Sequence, residues 1–524
     1  MKPIKLLAVA ASALGLLTAA NAQTTVYIAG APALRTELTT AIENLLRGQS
    51  GVTRAHNGRS IITANVIKWG NATIAGQRNV TVKINYNGSA GGWLTNASRK
   101  KVRFLDNSIN GPEAVDVLSD TKATPVDEAV PDFHISNEFQ VSTPWKGTNN
   151  VSFPENGNTT YQTLVDTIVG ILPLRLVASP AAPAGLNITP LLAQQLYTNG
   201  ELRLSQLTGN ASDYNKKVYP LSRGIDSGIR TLWAAANGVG TTTPIRTWQA
   251  TTSNTTNKPV VGITVVAPGV GYTSAPTVEI AAPETPGGRT ATATARVANG
   301  KIVGFTITNQ GSGYNTPPRV TLTGGGGSLA SARAVISGGI VTSHSLWAAA
   351  GRTLGANSTD NRVLGINSPL GNGGYVTFGP LLTAITSQLQ LPGGNPGDIY
   401  FTVLGESDAD SAIKAGAKEV RWNGNLLGTL GSYGNNGNVT ATSAPNPSTV
   451  GSATPSLAFG QYDLWGYVRL PYSNTALPAN SAKRIIHTAI ANQLKNFDAP
   501  IKLKDVNVRR DADGGVISAS GRRL

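Results

Sequence analysis

Tyr219–Ala236, YPLSRGIDSGIRTLWAAA, carries the residue types best able to do chemistry at a useful spacing. It reads as a strand end, a tight turn of Arg, Asp, Ser and Gly, and then a helix. A helix N-terminus has unpaired backbone N–H groups and a partial positive charge, so it attracts anions. Arg223 offers a planar bidentate cation, Ser227 a hydroxyl donor, and Gly228 a backbone that a ligand can approach closely. Asp-Ser-Gly also makes an ordinary helix cap. What the turn means depends on what else points at the same place.

Two more strand–turn–helix junctions precede it. In TTVYIAGAPALRTELTTAIENLL, Val26–Ala29 is strand-like and Gly30–Pro32 is a turn. Leu34, Leu38, Ala41, Ile42 and Leu45 then recur at helical spacing. In NVTVKINYNGSAGGWLTNA, Val80, Val82 and Ile84 alternate as a strand. The turn that follows is Gly88-Ser89-Ala90-Gly91-Gly92, whose glycines suit a close backbone approach to a ligand. A further short strand, Asp132–Ser136, ends in Asn137. Junctions with small or hydroxyl residues at each turn fit an α/β protein that binds an anion at the carboxyl ends of its strands.

These elements must be placed within 524 residues, enough for roughly two or three domains. MKPIKLLAVAASALGLLTAANA has basic residues, an apolar run and Ala20-Asn21-Ala22, the pattern of a secretory signal cleaved after Ala22. No later run is long enough to span a membrane. The chain has no cysteine, which excludes disulfides, thiolate chemistry and a lipid-modified N-terminal Cys. A soluble periplasmic or secreted protein is expected. The formal charge is +15, and losing Lys2 and Lys5 with the signal leaves +13. That balance favours anionic partners: small oxyanions or an anionic cell-surface polymer. Nucleic acid is disfavoured, since the basic residues are scattered without an arginine-rich helix or aromatic platform.

The order of these motifs resembles the phosphate-binding proteins of ABC transporters, two-lobed periplasmic receptors of the type 2 class. KINYNGSAGG is similar to that family's strand and Ser-Gly-Gly turn, and Ser89 holds the place of its oxyanion-contacting Ser. Arg223 precedes Ser227 by four residues, the family's spacing. The family's ligand-contacting Asp falls on Asn137 of DFHISN. The departures are an Ala31-Pro32-Ala33 loop where the family has a Thr hydroxyl, and Ile229 in place of Thr after Ser227-Gly228. Asn137 also removes the carboxylate that would accept a proton from protonated phosphate, so sulfate is no longer repelled.

The resemblance implies a two-lobed α/β fold, with lobe 1 at 23–170 and 465–524 and lobe 2 at 171–250 and 343–464. Thr167–Ser179 begins the crossover, and Tyr462–Tyr472 is the return strand. Thr241–Lys258 is a Thr/Asn-rich linker without hydrophobic period. An internal repeat follows, Val261–Ile280 echoed by Val303–Leu322, each a strand, a Gly-x-Gly-Tyr turn, Pro and a second strand. It predicts a small all-β insertion at about 259–342, similar to Gly-Tyr-Pro β repeats of bacterial surface and phage-tail proteins. Gly371–Gly374 could contribute to a ligand contact or be a plain loop, and Ser432–Pro455 reads as a solvated loop.

The four histidines are far apart in sequence, without paired metal spacing. No G-x-S-x-G elbow or Walker loop appears. Asp408-Ala409-Asp410 reads as a turn, and Ser227 beside Asp226 lacks a base to make it a nucleophile. The expectation is a non-enzymatic solute-binding protein needing no cofactor and no metal. It would capture phosphate, or else sulfate, through Arg223, Ser89, Ser227, Gly228, Ile229, Asn137 and the Gly30-Ala31-Pro32-Ala33 backbone, and would serve a transporter permease. The alternative is an adhesin-like surface protein that reuses this fold, with the β insertion as its binding end.

Overall fold

The computed structural model describes residues 23–519 apart from 58–59, 114–125, 144, 149–159, 225–226, 242, 254–256, 348–351, 355–365, 369–373, 376–377, 428–430, 434–438, 442–454, 459, 499–500, 504–505 and 507. The signal segment, Asp226, Gly371–Gly373 and most of the Ser432–Pro455 tract therefore lie outside the described residues. The protein is a mixed α/β structure built on two principal sheets.

The first sheet has six strands in the spatial order Gly111–Glu113, Thr53–Asn57, Val66–Ile74, Gln77–Asn85, Thr24–Gly30 and Phe133–Ile135. Thr24–Gly30 pairs in parallel with both of its neighbours. Val26, Ile28, Val80, Val82 and Ile84 are all fully buried, which is why these strands read as alternating and apolar. Helix α1 (Arg35–Leu45) and helix α2 (Ser89–Ala97) follow the first and fourth strands in chain order. Gly91 and Gly92 belong to the first turns of α2, not to a ligand-facing turn. A Cβ on Gly92 would lie 2.7 Å from the buried His134 ring, so this glycine serves packing.

The second sheet has seven strands. Ile168–Ala178 lies at its centre, antiparallel to Ile399–Gly405 and Lys418–Trp422 and, at its N-terminal half, to Trp465–Arg469. Lys217–Pro220 runs parallel to Ile399–Gly405. Helix α3 (Pro190–Asn199) starts at Thr189, whose hydroxyl accepts from the Leu192 N–H, and ends at left-handed Gly200. Helices α4 (Gly228–Ala236), α5 (Phe378–Ile385) and α6 (Glu406–Lys414) cover this sheet. Helix α7 (Ala482–Gln493) is capped by Ser481, which accepts from Arg484 N–H at 3.2 Å. Asp408 and Asp410 lie in α6 rather than in a turn.

Part of the supposed linker is ordered. Trp248–Ser253 is a strand antiparallel to Ile340–Leu346, and between them the repeat builds three antiparallel ribbons. Val260–Val270 pairs with Ser328–Ile336, Thr277–Ile280 with Val320–Thr323, and Thr292–Ala298 with Lys301–Asn309. Gly431–Tyr433 and Val439–Ala441 likewise form a short ribbon inside the predicted loop. Among the described residues no helix is long and apolar enough to cross a membrane.

One glycine fixes the first sheet where it matters. Gly30 has φ +133°, and a Cβ there would lie 2.1 Å from the Ile135 carbonyl oxygen. Gly30→Ala is expected to destabilise the fold by about 3 kcal/mol or more, measured by urea unfolding; a loss under about 1 kcal/mol would contradict this packing.

Candidate functional site

The three parallel strands of the first sheet end at one place, and their loops are tied together. Ala31 N–H donates to Ile135 O at 2.9 Å, Gly88 N–H to Gly30 O at 3.0 Å, and Gly30 N–H to Asn87 Oδ1 at 2.9 Å. The Gly30 and Ala31 N–H groups are thus committed within the protein and cannot serve a ligand. This corrects the expectation of a donating Gly30–Ala33 backbone. Pro32 has no N–H, which leaves Ala33 as the loop's candidate donor.

The Ser136–Glu138 loop is held from below. Ser136 and Arg469 exchange backbone bonds of 3.0 and 2.9 Å, and a Cβ on Gly466 would lie 2.4 Å from Asn137 O. The return strand Trp465–Arg469 therefore sets the height of the loop. From the second sheet comes the segment after Lys217–Pro220. Its Gly224 N–H donates to Tyr375 O at 2.8 Å, and Arg223 Nε donates to the same oxygen at 3.4 Å. Arg223 is buried and also pairs with Asp408 at 3.8 Å.

Nine of the ten predicted residues line one small cavity of about 10 Å³: Ala31, Pro32, Ala33, Ser89, Asn137, Arg223, Ser227, Gly228 and Ile229. Gly30 does not line it. The N-termini of α2 and α4 both reach this point, at Ser89 and Gly228. The Ser227 side chain makes no capping bond to its own helix. Ile229 is buried with its Cδ1 3.6 Å from where a Cβ on Gly405 would sit, so it presents an apolar wall.

Sequence reasoning missed the carboxyl of this site. Glu138, the residue after Asn137, is fully buried beside it and accepts from Ser89 Oγ at 2.5 Å. A Cβ on Gly228 would meet Glu138 Oε2 at 1.9 Å and Asn137 Oδ1 at 2.0 Å. Both side-chain amide atoms of Asn137, and Glu138 Oε1, are buried with no hydrogen-bond partner. Burial pushes the Glu138 carboxyl up to about 8 despite the Ser89 bond, and Asp513 adds to the rise. Near neutral pH it is largely the protonated acid, able to donate.

A larger cleft of about 540 Å³ opens beside this cavity, lined by Pro32, Ala33, Arg35, Thr36, Ile62, Asn65, Arg223, Phe378, Gly379, Ser407, Asp408 and Ser411. Burial raises the Asp408 carboxyl, opposed by Arg223 and Arg35. The sequence reading takes Asp408 only as part of a turn and does not single out Arg35; the only signal available for a site role was their position just after a strand. Among the described residues no group of three or more His, Cys, Asp or Glu side chains stands where it could hold a metal ion.

No protein-family model and no curated protein matches this chain. Its structure is similar to that of a Clostridium perfringens protein solved with bound phosphate and provisionally named a phosphate ABC transporter substrate-binding protein. The identity is 9% and the TM-score 0.35, over 92% of this chain and 100% of that one. It is also similar to a protein from Planctomyces limnophilus provisionally named as phosphate-binding. There the identity is 9% and the TM-score 0.30, over 90% of this chain and 99% of that one.

Glu138 and the buried histidines pull stability in opposite directions with pH. Burial pushes His134 down to about 3 and His487 to about 4, so their contributions grow as pH rises to about 6.5 and then stay constant. The Glu138 carboxyl binds its proton more tightly folded than unfolded, so its contribution is lost as pH rises toward 8. Between about pH 6.5 and 8 the unfolding free energy of wild type should fall by about 1 kcal/mol per pH unit more than that of Glu138→Gln. Urea unfolding at several pH values measures the difference, and parallel pH profiles would refute it.

Proposed function

We propose that this chain is an extracytoplasmic solute-binding protein of the two-lobed periplasmic class. Its solute is a tetrahedral oxyanion, phosphate first and sulfate second, delivered to a transporter permease. The observation that carries the reading is the set of unpartnered buried polar atoms, Asn137 Oδ1 and Nδ2 and Glu138 Oε1, against the N-terminus of α4. Such atoms are costly unless they find a partner. An oxyanion here would accept from the Asn137 amide, from the protonated Glu138 and from helix N–H groups, with Arg223 neutralising its charge. Phosphate suits the pair because its oxygens include both protonated and bare ones, and sulfate suits the protonated form of Glu138.

Lobe 1 comprises 23–170 and 465–524, lobe 2 comprises 171–250 and 343–464, and the ribbons at 259–342 are an insertion. At about 10 Å³ the inner cavity admits the ion only when the lobes part or Asn137 and Glu138 turn aside. The antiparallel pair Ile168–Pro173 and Trp465–Arg469 crosses between the lobes and supplies the hinge.

Isothermal titration of the chain lacking residues 1–22 with phosphate, sulfate and arsenate tests this. Binding of at least one oxyanion is expected, weakened about tenfold to a hundredfold in Arg223→Ala. No heat with any of the three would overturn the reading.

A further inference from the structure

The inner cavity accounts for an anion but leaves the cleft beside it without a task. The two adjoin: Pro32, Ala33 and Arg223 line both. An inorganic ion held at Ser89, Asn137 and Gly228 would touch, of the cleft's polar lining, only Arg223. The rest of that lining is mixed. Arg35, Thr36, Ser407 and Ser411 can donate, Asn65 can do both, Asp408 accepts, and Ile62 and Phe378 give apolar surface. A volume of about 540 Å³ is the size of a small-metabolite site rather than of an ion.

We infer that the ligand is a phosphate monoester of a small polyhydroxy compound, its phosphoryl group in the inner cavity and its hydroxylated part in the cleft lined by Arg35, Asn65, Phe378 and Asp408. The inference rests on the oxyanion reading above and goes further by naming what the oxyanion is attached to. The charges of the cleft select a neutral hydroxylated group over a second anion. Asp408 faces into it, against the cations Arg35 and Arg223. Arg223 is already the partner of the first phosphoryl group. A pyrophosphate would place its second charge beside Asp408, whereas sugar or glycerol hydroxyls can donate to Asp408 and accept from Arg35. The alternation of donors, acceptors and apolar surface is what a polyol presents in return.

The test is titration of the chain lacking residues 1–22 with orthophosphate, pyrophosphate, glycerol 3-phosphate and glucose 6-phosphate. It is run on wild type and on Ser411→Trp, whose exposed position on α6 lets the indole fill the cleft without disturbing the core. One of the two esters should bind wild type about tenfold or more tighter than orthophosphate and pyrophosphate. Ser411→Trp should remove that advantage while leaving orthophosphate affinity within about twofold. Thermal unfolding monitored by circular dichroism confirms that the variant is folded. Orthophosphate or pyrophosphate binding as tightly as both esters overturns the inference and leaves the oxyanion reading standing. An ester advantage that survives Ser411→Trp overturns the placement in this cleft. No binding of any of the four compounds overturns the inference, and the sulfate and arsenate titrations then decide the oxyanion reading.

Discussion

The arrangement depends on a close approach between two backbones that lack side chains. Gly228, at the start of α4, lies against the Asn137–Glu138 pair from above, and Gly466 of the return strand lies against Asn137 from below. Any Cβ at either position would occupy space now held by loop atoms at 1.9 to 2.4 Å. The loop can therefore sink its amide and carboxyl into the interior. Its burial explains the raised Glu138 carboxyl, the unpartnered amide and the meeting of the two helix N-termini. Where a larger residue would force the elements apart, the pair would be solvated and chemically ordinary.

Keeping such groups inside requires support, and the chain's last described segment supplies it. Asp513 Oδ2 accepts from Phe139 N–H at 2.8 Å, directly after the loop. The Arg469 guanidinium stacks on the Phe139 ring, 3.4 Å from its centroid, and pairs with Asp166. Burial pushes Arg469 down to about 10, opposed by Asp513 and Glu138. Arg510 donates to the Trp465 and Asp463 carbonyls, fastening the segment to the return strand. Gly514, at φ +66°, lets the same segment press on the last turn of α4, with a Cβ there 2.4 Å from Ala235 O. The C-terminal segment thus braces the site loop and the helix above it at once.

Much of this was legible. The strands at Thr24–Gly30 and Gln77–Asn85, the helices behind them and the Ser481 cap follow from periodicity and capping residues, which are local signals. The gathering of Ser89, Asn137, Arg223 and Ser227 followed from resemblance in motif order, not from any local rule. What failed was non-local. Gly92 looked like a residue making room for a ligand, but the neighbour that needs the room is His134 from another strand. Glu138 carries no signal of its own, because nothing in its own segment says that it will be buried beside α4 and Asp513. The Thr/Asn-rich run misleads in the same way: Trp248–Ser253 is a strand only because Ile340–Leu346, far along the chain, pairs with it.

The ribbons show how a large repeat can sit beside this site without building it. Each strand of the first repeat unit pairs with one of the second: first with third, second with second, third with first. The two units close on each other around Val260, Ile280, Ala291, Tyr314 and Ala334, a core separate from those of the principal sheets. The chain enters and leaves side by side at Trp248–Ser253 and Ile340–Leu346, where His344 stacks on Trp248 with ring centroids 3.9 Å apart. From that root one chain of contacts leads to the site. Ala250 N–H donates to the Tyr375 hydroxyl at 2.9 Å, while the Tyr375 carbonyl accepts from Gly224 N–H and Arg223 Nε. The root of the ribbons and the arginine that faces both cavities thus share Tyr375 as a contact.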